Sequence, residues 1–414
     1  MLDINLIRNK TEEVRSALLK RLAAKDFDLE KVIKFDDQRK DLLKKVEQFK
    51  AERNKFSKTK PDAEMIKQMK KVGEEITKLD EQISQVEAEL KENLSALPNL
   101  PAPEVPAGDK RHNQVLAAFN KKTDFKFKAK DHIELATNLG LIDYERGAKM
   151  SGSGFWVYQG QGAILEWALL NYFIDFHRQN NYTFLIPPFL LTEESAYASG
   201  HLPKFRNDLY WTEDGLCLDA TAEMMILNFH RAEILAEIDL PKKYFAYSAC
   251  FRREAGSYRT EERGMVRGHQ FNKIEMFQFT LPANSRPAFD ELVNAAVKLA
   301  QGLGLHFRTV LLAAADASAA MSKTVDIEVY IPSMGGYKEI SSVSNALDYQ
   351  ARRANVRFKN QKTGKNEFVH TLNGSGLATS RLVPAILEQF QQKDGSIEIP
   401  KALRKYCGFK RILK

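Results

Sequence analysis

The chain has 414 residues, of which 43% are hydrophobic and 28% charged, with 62 Lys and Arg against 54 Asp and Glu for a formal charge of +8. This is an ordinary globular balance, enough for two or three domains, and the modest basic excess is compatible with a polyanionic partner without requiring one. Three scattered cysteines, Cys217, Cys250 and Cys407, exclude a disulfide framework and a structural zinc spacing, which points to a reducing compartment.

The N-terminus carries acids early and no apolar signal core, and no apolar run approaches the ~20 residues a membrane helix needs. A cytoplasmic protein is expected. Between residues 30 and 97 the apolar positions recur by sevens. Phe35, Leu42, Phe49 and Phe56 form one series, with Val32 and Val46 three residues before Phe35 and Phe49. Lys58 to Asp62, with Pro61, interrupts it; Met69, Ile76, Ile83, Leu90 and Leu97 then resume, flanked by Val72, Leu79 and Val86. The pattern predicts two long helices paired as an antiparallel coiled-coil hairpin, each reaching roughly 50 Å at ~1.5 Å per residue. Residues 30–60 hold eleven Lys and Arg against six acids, whereas residues 61–97 hold five Lys against nine acids. The first helix, with Lys67, Lys70 and Lys71 near the tip, is the better candidate to face phosphates. The plain alternative is a solvated coiled coil whose two helices attract each other.

Pro98 to Pro106 has four prolines in nine residues and reads as a stiff linker, giving an N-terminal domain of residues 1–106 and a second domain of residues 107–414. Beyond it, strand-like runs (FLIPPFLL, KYFAYSACFRRE, KIEMFQFTL, TVDIEVYIP) alternate with helical ones (AILEWALLNYFIDFHRQ, EMMILNFHRAEILAEI, FDELVNAAVKLAQGLG, ARRANVRF, RLVPAILEQFQQ). Consecutive strands without helical crossovers predict an α+β domain with a mainly antiparallel sheet flanked by helices.

The chemistry concentrates in two runs joined by a loop. In Phe251 to Ser257, strand alternation puts Arg252 and Glu254 on one face; in Arg267 to Glu275 it does the same for Arg267, His269, Phe271, Lys273 and Glu275. No apolar core accommodates that set, because unpaired charges are costly to bury. Arginines grip phosphate, and an aromatic with a nearby arginine can sandwich a nucleobase. The plain alternative is a surface strand laced with salt bridges. Asn373-Gly374-Ser375-Gly376-Leu377-Ala378 reads as a glycine-rich turn into a helix whose first turn holds Arg381, a geometry that favours anions. Glu339 beside Ser341, Ser342 and Asn345 offers hard oxygen ligands suited to Mg²⁺. Thr221-Ala222-Glu223 reads as a helix start. In isolation the first two read more simply as a plain loop and a polar strand end, and the third equally well as an N-cap with a first-turn acid.

Taken in order, the long hairpin, TAE, FRREAGS, HQFNKIE, EISSVSNALDYQARRANVRF and NGSGLA resemble the signature motifs of class II aminoacyl-tRNA synthetases, and among them the seryl-tRNA synthetase family. The resemblance spans nearly the whole chain. It implies a six- to seven-stranded antiparallel catalytic sheet and a homodimer built partly through residues around Asn181 to Pro188. It also implies ATP as substrate with Mg²⁺, L-serine as the amino acid, and tRNA(Ser) as acceptor, with tRNA(Sec) as a further acceptor in this family. Serine is activated as seryl-adenylate, then passed to the tRNA. The catalytic residues it implies are Arg252, Glu275 and Arg381. Arg252 falls at the α-phosphate and the serine carboxylate, and Glu254 at adenine. Phe271 stacks on adenine with Arg381 on its other side, and Arg267 neutralises phosphates. Glu339 and Ser342 hold the metal. Thr221, Glu223, Arg252, Glu275, Asn373 and Ser375 form the serine pocket, with the hydroxyl going to Glu275 and Thr221.

Several positions depart from the family pattern. Leu218-Asp219-Ala220 stands where Leu-Ile-Pro is usual, Ala314-Ala315-Asp316 replaces a Thr-Gly-Asp, Ser380 replaces a glycine, and Asn181 does likewise. The loop Tyr258 to Arg263 lacks the usual Gly-Arg-Asp-Thr series. The alternatives are a paralogue that delivers serine to another acceptor, a non-catalytic RNA-binding paralogue, and a coiled-coil scaffold. The hairpin argues against the first, the intact set Arg252, Glu254, Phe271, Glu275, Glu339 and Arg381 against the second, and the ligand-facing strands of the C-terminal three quarters against the third.

Overall fold

The structure is a computed structural model and describes residues 1–56, 63–254 and 264–413. It divides into two compact units, Met1–Leu100 and Pro101–Lys414. In the first, short helices α1 (Ile4–Asn9) and α2 (Thr11–Leu18) precede α3 (Leu29–Phe56) and α4 (Ala63–Ala96). At 28 and 34 residues these arm helices span roughly 42 and 51 Å at ~1.5 Å per residue. The heptad residues make the seam: Val46, Val72, Ile76, Leu79 and Ile83 are buried together, with Leu42 and Phe49 packed against them. An antiparallel pairing brings Arg39 of α3 within 3.9 Å of Glu87 of α4. Nearer the base, Asp36 is fully buried yet bonded by Arg8, Arg39 and Lys40 at 3.2, 3.1 and 2.7 Å, which is what a buried carboxylate needs. The break at Lys58 to Asp62 lies outside the described residues.

The second unit is built on an eight-stranded sheet. Its strands are β1 (Gln114–Phe119), β2 (Thr183–Leu185), β3 (Lys242–Phe251), β4 (Gln270–Thr280), β5 (Phe307–Leu311), β6 (Lys323–Ile331), β7 (Gly336–Leu347) and β8 (His370–Ala378). The spatial order is β1-β5-β6-β7-β8-β4-β3-β2. All neighbours are antiparallel except β2, which lies parallel to β3. The sheet thus has eight strands rather than the six or seven that the resemblance implied. The double proline Pro187-Pro188 splits the FLIPPFLL run into β2 and a short strand at Leu190–Leu191. The EMMILNFHRAEILAEI run is helical only over α6 (Ala222–Asn228) and becomes a strand at Ile234–Ala236. Likewise ARRANVRF ends its helix at Ala354 and continues as a strand, Arg357–Lys359.

The sheet is amphipathic, and that decides where a site can form. On one face Ile274, Met276, Val325, Ile327, Val343 and Leu372 pack into a core with Leu165, Leu169 and Phe173 of α5 (Gln161–Gln179), Leu292 and Leu299 of α7 (Ser285–Gly302), and Leu382 and Ile386 of α9 (Thr379–Gln389). The opposite face of β4 carries Phe277 and Phe279, which join Met224, Met225 and Ile226 of α6 in a second core. Further back on that face, period-two alternation brings up Glu275, Lys273 and Phe271 instead. The apolar cover stops there and a cavity begins.

Candidate active site

A cavity of about 420 Å³ opens on the polar face of β4, β7 and β8. Thr221, Glu223, Arg252, Glu254, Arg267, Glu275, Glu339, Ser342, Asn373 and Ser375 all line it, so ten of the twelve residues expected from the sequence converge on one space. The other two border it through neighbours. Phe271 lies under the Arg252 guanidinium, 5.2 Å from ring centroid to cation, and Arg381 Nη1 bonds Glu339 Oε2 at 3.1 Å and the Glu339 carbonyl at 2.7 Å.

Two expectations about local structure need correction. Arg252, Glu254 and Arg267 do not share strand faces, because β3 ends at Phe251 and β4 begins at Gln270. Arg252 is held by its own N–H to the His269 carbonyl and by Nε to the Ala220 carbonyl. Glu254 has φ +51°, a left-handed backbone that turns its carboxylate toward Arg267, 2.7 Å away at Nε. The Asn373 to Ala378 segment is not a loop. It is the end of β8, with Ser375 opposite Glu275 and Asn373 opposite Ser344. Its glycines are there for space: a Cβ on Gly376 would lie 2.3 Å from His177 Nε2, and one on Gly374 3.0 Å from the Val343 side chain. Residues 255–263, including the atypical loop Tyr258 to Arg263, lie outside the described residues.

The polar groups form two clusters. In one, Thr221 caps α6 through Oγ1, which also accepts from Lys273 Nζ at 2.6 Å. Lys273 ion-pairs with Glu275, whose Oε2 accepts from Ser375 Oγ at 3.2 Å. Glu223 Oε1 accepts from Gln350 Nε2 at 2.6 Å. Burial, reinforced by nearby Glu275, raises Glu223 to about 7. Burial would depress Lys273, but the adjoining Glu275 outweighs it and the ammonium is held above its ordinary value. His201 is driven down to about 3 by burial and then by Arg252 and Lys273, so the imidazole is neutral.

The second cluster centres on Glu339. Burial pushes its carboxyl up, but Arg381 and then Arg252 outweigh that and hold it below the usual range. Asp326 pairs in register with Ser342 and is buried; burial first and then Glu339 raise it well above the carboxylate range. Its Oδ1 has no hydrogen-bond partner among the described residues. The Glu339 and Asp326 carboxyls and the Ser342 hydroxyl are hard oxygen donors, and the orphaned Asp326 oxygen among them fits a divalent cation. Among the described residues no three His, Cys, Asp or Glu side chains gather as a self-sufficient metal centre.

Lys273, His201, Asp326 and Gln350 were not assigned roles from sequence. Lys273 had a signal, since it shares the strand face of Phe271 and Glu275. The others reach the site only through tertiary contacts.

The chain is similar to known proteins over its whole length. A model described as "Seryl-tRNA synthetase N-terminal domain" matches residues 1–101, and "tRNA synthetase class II core domain (G, H, P, S and T)" matches residues 208–390. A protein of Clostridium acetobutylicum, serine–tRNA ligase 2, is 50% identical over 99% of both chains. The chain belongs to the seryl-tRNA synthetase family. The seryl-tRNA synthetase of Pyrococcus horikoshii, solved with ATP, superposes with a TM-score of 0.93 at 33% identity, covering 100% of this chain and 99% of that one. The cytoplasmic serine–tRNA ligase of Naegleria fowleri, solved with AMP, gives 0.88 at 30% identity, covering 100% and 98%. In this seryl-tRNA synthetase fold, no described helix is long and apolar enough to cross a membrane.

Proposed function

We propose that the chain activates L-serine with ATP and transfers it to tRNA(Ser), with tRNA(Sec) as a second acceptor, in the cytoplasm. The observation that carries this reading is the convergence of Arg252, Glu254, Arg267, Glu275 and Glu339 with Thr221, Glu223, Asn373 and Ser375 around one cavity in a chain of this family.

In the first step a serine carboxylate oxygen attacks the ATP α-phosphorus, and the bond to the β,γ-bridged leaving group breaks to release pyrophosphate. Such a displacement needs alignment and charge neutralisation more than a protein base. Arg252, which lines the cavity, is assigned to bridge the α-phosphate and the serine carboxylate. Phe271, already under one guanidinium, offers its face to adenine, with Arg381 at the opposite side near the γ-phosphate. Nucleotide binding exchanges the Glu254–Arg267 ion pair for two interactions with the ligand: Glu254 accepts from adenine and Arg267 turns to phosphate. Glu339 and Ser342 would hold Mg²⁺, which supplies charge neutralisation on the phosphates. Serine recognition falls to the buried donors and acceptors around Thr221, Glu223, Glu275, Asn373 and Ser375. Alanine would leave those groups unpaired, which is the stronger form of discrimination. In the second step the terminal ribose hydroxyl of the tRNA attacks the seryl carbonyl and AMP departs.

The first unit is the tRNA-binding domain and the second the catalytic domain. The chain acts as a homodimer through the face around residues 181–188. Ile186 there is 74% exposed and Leu190 next to it is exposed as well, while Phe189 and the 54% exposed Trp167 of α5 both lie beside the Tyr247 ring, apolar side chains that a partner would cover.

The deciding experiment is ATP–pyrophosphate exchange with each of the twenty amino acids, followed by charging of total tRNA with the same preparation. Exchange with serine together with charging supports the reading. Exchange without charging would favour an acceptor other than tRNA, and no exchange in folded protein with Mg²⁺ would reject the catalytic reading.

A further inference from the structure

Glu223 and Glu275 both border the serine end of the cavity, yet the protein treats them differently. Glu275 has a cation, Lys273, in direct contact. Glu223 has a neutral amide, Gln350, on α8 (Tyr349–Ala354). Gln350 is 1% exposed, and all of its amide is engaged. Nε2 donates to Glu223 Oε1 at 2.6 Å and to the Ser199 carbonyl at 3.0 Å, while Oε1 accepts from Thr371 Oγ1 at 2.7 Å. The Ser199 carbonyl, which can only accept, and the Glu223 carboxylate fix which end of the amide faces Glu223, because a flipped amide would set its oxygen against both of them.

We propose that Gln350 is a positioning residue for serine: it anchors one oxygen of Glu223 so that the other, with the negative charge, is presented to the ammonium group of the substrate. This rests on the reading of Glu223 as part of the serine pocket. A lysine or arginine in place of Gln350 would neutralise Glu223 and leave nothing for the substrate cation. An apolar residue would leave a buried carboxyl beside Glu275 that prefers to keep its proton. A neutral donor does neither. The groups facing Glu223 are Glu275, which opposes its ionisation, and Gln350, Lys273 and Arg252, which favour it. Gln350 is the one of these that bonds it directly and adds no charge. The division of labour follows: Glu275, compensated by Lys273, accepts the substrate hydroxyl, and Glu223 holds the ammonium.

The test is serine-dependent pyrophosphate exchange by the full chain, with KM for serine and for ATP measured from pH 6 to 9 in Gln350→Leu, Gln350→Glu, Thr371→Val and Glu223→Gln. Losing a buried bond to a charged group corresponds to about tenfold to a hundredfold. Gln350→Leu is therefore expected to raise the serine KM by that factor at pH 7 and leave the ATP KM within about twofold. The serine KM falls as pH rises and Glu223 ionises; without the Gln350 donor that fall moves to higher pH by about one unit. Gln350→Glu should be worse still at neutral pH. Thr371→Val, which leaves the packing intact, should give a smaller rise of the same kind and keeps the test alive if the Gln350 variants do not fold. If Glu223→Gln raises the serine KM but the Gln350 and Thr371 variants do not, the positioning role is overturned while the pocket stands. If Glu223→Gln has no effect, the pocket assignment fails and the proposal with it. A parallel rise in both KM values with a lowered melting temperature would make Gln350 a structural strut and overturn the proposal.

Discussion

Lys273 donates a 2.6 Å hydrogen bond to Thr221 Oγ1, tying the middle of β4 to the N-cap of α6. Because the same ammonium ion-pairs with Glu275, one side chain sets both the hydroxyl acceptors expected for serine. Lys273→Met should strand Glu275 as an uncompensated buried carboxylate. Breaking a buried pair from one side costs about 3–5 kcal/mol. Serine-dependent exchange should fall by more than about a hundredfold and the melting temperature should drop, with most of the kinetic loss in the serine KM. Exchange at the parent rate would remove Lys273 from the pocket's working parts.

Arg252 stands over Phe271 and is fastened at Nε to the Ala220 carbonyl, so its guanidinium is already aimed before a ligand arrives. Groups that stabilise charge developing in the transition state contribute about a hundred- to a thousandfold each. Arg252→Ala should lower exchange by at least that factor. Its side chain is only partly buried, so the fold should hold. Unaltered exchange would exclude it from the α-phosphate.

Much of this was legible in the chain, and the failures have physical reasons. The arm was readable because a heptad seam is a local pattern; Val46, Ile76 and Ile83 are buried where it put them. The polar face of β4 was readable because Phe271, Lys273 and Glu275 alternate with Asn272 and Ile274, as a strand requires. Asn373 to Ala378 misled because its small residues look like a loop; in the fold they make room for His177 and Val343. Glu254 reaches the site by a left-handed backbone that no alternation rule anticipates. Gln350 was invisible because 127 residues separate it from Glu223, and a lone glutamine on a helix carries no local sign of its partner.

Asp219, where the family pattern has isoleucine, is fully buried, and burial raises its carboxyl to about 7 against the smaller pull of Ser248, Lys273 and Arg252. A carboxyl whose pKa is higher in the folded than in the unfolded chain costs nothing below the unfolded value. The stability difference is lost as pH rises from about 4 to about 7 and stays lost above it. Asp219→Ile should therefore stabilise the protein at pH 8 by roughly 4 kcal/mol and much less at pH 4. Thermal melts of both proteins across that range measure it. A stabilisation that did not vary with pH would mean that packing, not the buried charge, sets the difference.

If the arm binds tRNA, its basic helix should make tRNA binding separable from serine activation. Residues 30–60 carry the excess of basic side chains, and Lys44, Lys45 and Lys50 of α3 are exposed. If α3 follows the phosphates of a tRNA, removing one lysine–phosphate pair should reduce the slope of log K against log salt by about 0.7 to 0.9. The triple replacement of these lysines by glutamine should then flatten the slope by about 2, weaken tRNA binding at low salt, and lower charging. Serine-dependent pyrophosphate exchange should stay unchanged, because the two units are separately compact and the cavity lies wholly within the second. Deleting residues 30–97 carries the same logic to its limit: serine activation should persist and tRNA charging should disappear. Equal loss of both activities would make the arm a structural support of the enzyme, and an unchanged salt slope in the triple variant would place the phosphate-binding groups on another surface.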